Sequence, residues 1–356
     1  MPPQELTEAQ ALYDRLRLMP ILDGFWMAST VLVEPHLLRL TGWAINPCDQ
    51  PAQFFLAMNG APMRFESYAV HASLSAKLNI AHCYRFEAVA AFDRLPGEPV
   101  EFRGAFGYPD FQRSVGSFFW PTNKPVLPEP ARRGRVHGTE EESSFDLIGC
   151  TIAEKIKRLL DHRFHKTIEE LGPVLDWGCG CGRVARFLFP SLKKPCGIDI
   201  DADNVDWCCQ NLTGDFQAVS PDPPTSLPAG YFELIYGISV LTHLSAFDQV
   251  KWLEELTRLA APGGFVLVTV HGYASWLLND LGVETYLNWD REGIWDVGEN
   301  SDLQGAVADP TRYRSMFHTP AYIRRVWRKW FEVLDILPGW AANNQDLVIL
   351  RAREGS

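Results

Sequence analysis

Apolar and polar positions alternate with two different periods along this chain. Residues 7–19 repeat at helical spacing: Leu12, Leu16 and Met19 form an apolar stripe, and Thr7 with Gln10 supplies a capping box. From about residue 25 to 120 the period shortens. Leu38-Arg39-Leu40-Thr41-Gly42-Trp43-Ala44 partly alternates, and Phe54-Phe55-Leu56-Ala57-Met58 runs into Asn59-Gly60 and then Met63-Arg64-Phe65. Asn-Gly between two apolar runs predicts a hairpin, because both turn positions need positive φ. Further strands are expected at 83–92 and 99–107. Several short strands at this spacing predict a β-sandwich.

Residues 121–135, PTNKPVLPEPARRGR, are rich in proline and charge and read as a linker. After them, Ile152, Ile156, Leu159 and Leu160 return to helical spacing. From 173 onward strands alternate with helices, with strands expected at 173–177, 195–200, 216–219, 232–238 and 264–271. A helix near 320–330 precedes two late strands, 331–337 and 345–351, close enough in sequence to pair antiparallel. A βαβα order predicts a parallel sheet covered by helices on both faces. The expected organisation is an N-terminal helix (1–22), a β-sandwich domain (23–120), a linker (121–140) and an α/β domain (141–356) carrying a long insert at 272–318.

Composition narrows the function classes. The chain has 356 residues, 46% hydrophobic and 22% charged, which is ordinary for a globular protein of about two domains. A net charge of −11 repels phosphate backbones, so nucleic acid is not the expected partner. The basic clusters Arg132-Arg133-Gly134-Arg135 and Arg324-Arg325-Val326-Trp327-Arg328-Lys329 each read as a linker or a solvated helix face rather than a binding patch. The opening MPPQELTEAQ lacks the pattern of a signal peptide, and no apolar run approaches the ~18 residues that span a bilayer. Eight scattered cysteines suit free thiols in a reducing compartment, so a cytoplasmic location is expected.

The chemistry concentrates in VLDWGCGCGRVARFL, residues 174–188. Cys179-x-Cys181 and Cys208-Cys209 lack the spacing of structural zinc ligands, so no metal is expected and the thiols read as small residues filling a tight turn. A strand ending in Asp176, a turn of Gly178, Gly180 and Gly182, and a following helix make a nucleotide cradle. Asp199 ends the next strand about 20 residues on, where a ribose diol would be held. The third glycine comes one residue earlier than in the dinucleotide fingerprint, with Arg183 at the dinucleotide position. Asp176 would repel a diphosphate but can help hold an ammonium group.

VLDWGCGCGRVARFL, then GIDID, FELIYGISVLTHLS and LAAPGGFVLVTVHG resemble the ordered motifs of class I S-adenosylmethionine (SAM)-dependent methyltransferases over about residues 140–356. The resemblance implies a Rossmann-like, seven-stranded α/β sheet with its last strand inserted antiparallel, and SAM as cofactor. It further implies that Asp176, Gly178, Cys179 and Gly180 hold the methionine end, and that Asp199 and Ile200 lie at the ribose. Ser220, in Val219-Ser220-Pro221-Asp222, would lie near adenine, and Gly237, in Tyr236-Gly237-Ile238-Ser239, would line the transfer channel. Methyltransferases of nucleobase amines often carry Asn/Asp-Pro-Pro-Tyr at that last position, so base-amine methylation is disfavoured.

A hydroxyl acceptor must lose a proton, and a base helps. His243, His271 and His318 are the candidates; the first reads as packing or capping, the other two as the better bases. The insert carries Trp276, Tyr286, Trp289, Trp295 and Tyr313, which read equally as a lid over acceptor or as a satellite core. In the N-terminal half, Leu-Thr-Gly-Trp-Ala with the Asn-Gly hairpin resembles β-sandwich modules beside bacterial glycan-modifying enzymes. There Trp26, Trp43, Phe118, Phe119 and Trp120 read first as core and second as a ligand platform. The expected function is methyl transfer to a hydroxyl or carboxyl of a small molecule or glycan precursor, with homo-oligomerisation open. The alternatives are a glycan- or ligand-binding protein with a vestigial cofactor domain, aminopropyl transfer on the same sheet, and a nicotinamide dehydrogenase. Aminopropyl transfer would need acids after the fourth strand, and GISVLTHL (237–244) has none.

Overall fold

The computed structural model describes residues 25–46, 52–78, 80–93, 95, 97–279, 282–300 and 312–354. The helix expected over 7–19 and parts of the 272–318 insert lie outside them. The first eight strands are β1 (Phe25–Glu34), β2 (Leu37–Asn46), β3 (Gln53–Met58), β4 (Ala61–Pro62), β5 (Arg64–Val70), β6 (His82–Ala91), β7 (Val100–Gly107) and β8 (Gln112–Trp120), with α1 (Ala72–Leu78) between β5 and β6. They form two antiparallel four-stranded sheets, β1-β2-β6-β5 and β4-β3-β7-β8.

Strand periodicity explains which side chains these sheets enclose. On β2, Leu38, Leu40, Gly42 and Ala44 are buried; on β7, Val100, Phe102, Gly104 and Phe106 are. Trp26 of one sheet meets Phe54 and Phe118 of the other, and its indole occupies the hollow that the missing side chain of Gly104 leaves. The Asn59-Gly60 turn forms with positive φ at both residues. The strand beyond it departs from the expected hairpin: after two paired residues in β4 the chain crosses to the other sheet as β5.

Two helices follow, α2 (Pro130–His137) and α3 (Glu142–Phe164). The Glu141 carboxylate caps α3 by accepting from the N–H groups of Ser143 and Ser144. Helix α3 joins the two halves: Thr151 Oγ1 accepts from the Phe119 N–H at 2.9 Å, and Phe145 lies in the same apolar cluster as Trp26 and Trp120.

The rest of the chain alternates as expected. Its elements are β9 (Pro173–Trp177), α4 (Ala185–Leu188), β10 (Lys194–Asp199), α5 (Ala202–Asn211), β11 (Asp215–Ala218), β12 (Phe232–Gly237), α6 (Ala246–Leu259) and β13 (Ala260–Val270). The insert contributes α7 (Tyr273–Asn279), α8 (Val283–Glu292), β14 (Ile294–Glu299) and β15 (Arg314–His318). Helix α9 (Pro320–Val326), β16 (Glu332–Ala341) and β17 (Gln345–Arg351) complete the described fold. Seven strands make one sheet in the order β11-β10-β9-β12-β13-β17-β16, with β17 antiparallel to both of its neighbours. Strands β9 and β12 are apolar and buried on both faces, as helix-covered parallel strands must be. Among the described residues, no helix is long and apolar enough to cross a membrane.

Candidate active site

The carboxyl ends of β9, β10, β12 and β13 lie along one edge of this sheet, and the sequence candidates gather there. Gly178, Gly180 and Gly182 have φ of 75°, 52° and 73°. A Cβ at Gly178 would fall 2.4 Å from Val240, and one at Gly182 would fall 2.3 Å from Leu212. Conformation and space both demand glycine here.

The Asp199 carboxylate joins this turn to the next one. Its Oδ2 accepts from the Gly180 N–H at 2.7 Å, and its Oδ1 accepts from the Asp201 N–H at 2.9 Å. Burial raises its pKa, partly offset by these donors. Asp176 is 3% exposed, and its Oδ2 accepts from the Tyr236 hydroxyl at 2.9 Å. Burial pushes this carboxyl up to about 8 and pushes the Tyr236 phenol well above its ordinary value.

The remaining cofactor candidates take different positions. Cys179 is buried behind the turn beside Cys208, so its backbone is what it can present to a ligand. Ile200 is half-buried and Ser220 is exposed, with the Ser220 Oγ accepting from the Asp222 N–H at 3.1 Å. Gly237 leaves room for the Trp177 ring, which a Cβ would meet at 2.6 Å.

The basic segment 132–135 corrects the expectation of a linker or solvated face. It lies in α2, which docks on the glycine turn: Arg132 and Arg135 pair with Asp203, and Arg135 also pairs with Asp201. Arg133 is buried, donating to the carbonyls of Pro128 and Glu140. Val136 packs over Gly180. Acids at the start of α5 supply the counter-charges that draw this segment inward. The second basic cluster does present Arg324, Arg325, Arg328 and Lys329 to solvent.

The three histidines converge where β15 docks against the sheet edge. The His318 N–H donates to the His271 carbonyl at 2.8 Å, and the rings of His243 and His271 are 6.2 Å apart. His243 stacks on Tyr313 at 4.3 Å, with Nδ1 3.2 Å from the Arg314 carbonyl oxygen. His318 is fully enclosed, its Nε2 2.9 Å from Gln249 Oε1 and its ring against Trp327. His271 is half-buried, with a buried Nδ1 that makes no hydrogen bond. Burial holds both His271 and His318 down to about 3, so each imidazole is neutral.

Ser239, from the turn expected to line the transfer channel, meets Thr269 and Gln345 at this edge, and Gln345 is the one that the sequence reading did not name. Gln345 Oε1 accepts from Thr269 Oγ1 at 2.7 Å and from Ser239 Oγ at 3.1 Å, while the Ser239 N–H donates to Thr269 Oγ1 at 2.8 Å. Ser239 holds φ of 65°, a strained setting for a residue with a side chain. No sequence signal marks Gln345, since only the reversal of β17 brings it here. The insert aromatics resolve toward packing: Trp276, Tyr286, Trp289 and Phe317 form a buried cluster, with the two indoles stacked at 4.3 Å. Trp26, Phe118, Phe119 and Trp120 are likewise buried, and Trp43 is half-buried against Phe25.

A seven-stranded sheet with one reversed strand, a left-handed glycine cradle after its first strand and an acid closing its second define a class I SAM-dependent methyltransferase. The match to the methyltransferase-domain family covers residues 146–330, just over half of the chain, and the protein belongs to that family. It is an enzyme of this class with SAM as its cofactor. Similar solved structures include a Pyrococcus horikoshii protein at 16% identity, covering 57% of this chain and 90% of that one with a TM-score of 0.40. A SAM-dependent methyltransferase from Methanosarcina mazei matches at 16% identity, 51% and 92% coverage and a TM-score of 0.39. Human N-acetylserotonin methyltransferase in complex with SAM matches at 15% identity, 64% and 60% coverage and a TM-score of 0.37.

Proposed function

We propose that this enzyme methylates an oxygen, a hydroxyl or carboxyl of a small molecule or glycan precursor. The observation that carries this reading is the lining of the β12–β13 edge. His271 offers a neutral ring nitrogen with no hydrogen bond, and Ser239, Thr269 and Gln345 form a hydroxyl–amide cluster at the same end of β12 and β13. Such groups orient an oxygen nucleophile, and the sequence Tyr236-Gly237-Ile238-Ser239 lacks the turn that grips a base amine.

Bound SAM supplies an electrophilic methyl group on a sulfonium. Asp176 would take the cofactor's ammonium group, Asp199 its ribose hydroxyls, and the backbone of Gly178, Cys179 and Gly180 its methionine chain. Ile200 and Ser220 would serve the nucleoside, and Gly237 holds the channel wall by seating Trp177. His271 Nδ1 accepts a hydrogen bond from an acceptor hydroxyl and aligns its lone pair for in-line displacement. A carboxylate acceptor needs no base at all. Full protonation of so buried an imidazole is expensive, so orientation is its main contribution, and the hydroxyl proton leaves to solvent as the O–CH3 bond forms and the S–CH3 bond breaks. His318 and His243 act through it: His318 fixes the His271 backbone, and His243 braces β15.

In this reading the N-terminal sheets make a β-sandwich domain, assigned to 23–120, that supports α3; residues 121–140, with α2 docked on the glycine turn, join it to the catalytic domain (141–356), whose insert 272–318 lies on the acceptor side. Burial of the aromatic candidates favours this supporting role over a ligand platform. On this reading the enzyme works in the cytoplasm on a small acceptor rather than on nucleic acid. Incubating the protein with methyl-tritiated SAM and a panel of sugar nucleotides, phenols and carboxylic acids tests the reading. Label should appear in an ester or ether; label confined to amine acceptors would refute it.

A further inference from the structure

Two aromatic side chains of the N-terminal half escape the burial that encloses the others. Phe55 is 38% exposed and Phe111 is 51% exposed, and both belong to one face of the β4-β3-β7-β8 sheet. Helix α3 covers the far end of that face, where the Phe119 N–H bonds Thr151 and the Arg158 guanidinium lies 4.4 Å from the Phe119 ring. Strand register explains the shape of the open end. Gln53 of β3, Gly107 of β7 and Gln112 of β8 pair as one cross-strand row, so two exposed glutamines flank a residue without a side chain. The Phe55 ring leans into that gap, where a Cβ on Gly107 would meet it at 2.4 Å.

The β7–β8 turn walls the gap at the strand ends. The Tyr108 N–H donates to the Phe111 carbonyl at 2.8 Å, and the two rings stack 4.8 Å apart. The Tyr108 hydroxyl donates to Asn46 Oδ1 at 3.2 Å, which ties the turn to the opposite sheet. These residues and Pro109 line a cleft of about 530 Å³, and none of them is charged. Arg113 lies against the Phe111 ring at 5.7 Å but outside that lining.

The lining selects its ligand by chemistry. An uncharged cleft on a chain of net charge −11 offers nothing to an ion. An apolar side chain seated there would strip water from the Gln53 and Gln112 amides and return no hydrogen bond. A sugar ring meets both demands. Its C–H face stacks on an aromatic ring, and each hydroxyl both donates and accepts, as a glutamine amide does. We propose that this cleft binds a neutral sugar, with Phe55 beneath the C–H face, Gln53 and Gln112 on the hydroxyls and the Tyr108–Phe111 pair as the end wall. The binding does not depend on the acceptor reading above, because the cleft belongs wholly to the N-terminal sheets.

An array of neutral hexose, deoxyhexose, N-acetylhexosamine and uronic acid oligosaccharides, probed with the intact protein, tests this. The strongest soluble ligand is then titrated by calorimetry. A neutral glycan should bind with a Kd below about 1 mM. Phe55→Ala should weaken it at least about 10-fold, and Gln53→Ala with Gln112→Ala should do the same. Phe55→Tyr keeps the ring face and should stay within about 3-fold. These positions are exposed, so the variants should melt within about 2 °C of wild type and bind S-adenosylhomocysteine equally well. Three results would overturn the proposal: no neutral glycan retained, binding confined to uronic acids, or a glycan affinity that neither Phe55→Ala nor the double glutamine variant changes. A dimer seen by sedimentation that Phe55→Ala dissociates would also overturn it, by making this face a contact between copies.

Discussion

With Asp176 assigned to the cofactor's ammonium group, as proposed, its raised pKa should make cofactor affinity a function of pH. An ammonium group is held by the ionised carboxylate, yet burial raises this carboxyl to about 8 in the free protein. At pH 6 the group is then about two units below its pKa, and ionising it costs about 1.4 kcal/mol per unit. The resulting penalty of nearly 3 kcal/mol corresponds to about 100-fold in affinity. Affinity for S-adenosylhomocysteine should therefore rise steeply between pH 6 and pH 8 and level off above. Asp176→Asn keeps the size and a hydrogen-bond acceptor for Tyr236 but cannot ionise, so its affinity should be weaker and flat over that range. Titration calorimetry at pH 6, 7 and 8, with identical buffer ionisation corrections, checks both. A wild-type affinity independent of pH, or an Asn variant with the same slope, would refute the role given to Asp176. Stability runs the other way. Because the folded pKa is raised above the ordinary value of 3.8, the free protein binds the extra proton. Stability from this group is complete below pH 4 and is lost as pH rises toward 8. The Asn variant should lack that decline in chemical denaturation.

Asp199→Ala should weaken S-adenosylhomocysteine binding at least 10-fold and lower stability by about 1–3 kcal/mol, because the Gly180 and Asp201 N–H groups lose their acceptor; unchanged affinity by calorimetry would count against the ribose assignment. Gly182→Ala and Gly263→Ala share a left-handed φ, but only the first meets a side chain, Leu212 at 2.3 Å. Urea denaturation should show the Gly182 variant the less stable by about 1–2 kcal/mol; equal losses would mean that backbone strain alone matters. His271→Ala should reduce turnover of a hydroxyl acceptor by about 10- to 100-fold with cofactor affinity unchanged. Because the imidazole is held down to about 3, the wild-type rate should show no step from its protonation between pH 5 and 8; a downturn near pH 6.5 that vanishes in the variant would refute that setting.

Local chemistry made the catalytic half readable. Three glycines can be spotted because a side chain at these left-handed positions would be strained and would also clash, and buried parallel strands announce themselves as short apolar runs between helices. Strands 173–177 and 345–351 fall where the pattern puts them. The Asn59-Gly60 turn formed for the same local reason. What the pattern could not show is which partner each strand takes after a turn. Strand β5 therefore crosses to the other sheet although its own residues look like the second arm of a hairpin.

The sequence by itself determined the glycine cradle, the acids that flank it and the alternation that builds the sheet, because each depends on neighbours within a few residues. Tertiary structure alone decided how charge and polarity are distributed over the site. It brought Gln345 beside Ser239 by reversing one strand, enclosed His318, left the buried Nδ1 of His271 without a hydrogen bond, and turned the insert aromatics into a core. It also folded the basic segment 132–135 onto the start of α5 and so placed His137 beside Arg183. Burial and counter-charge come from residues far apart in the chain, and no window of sequence contains them.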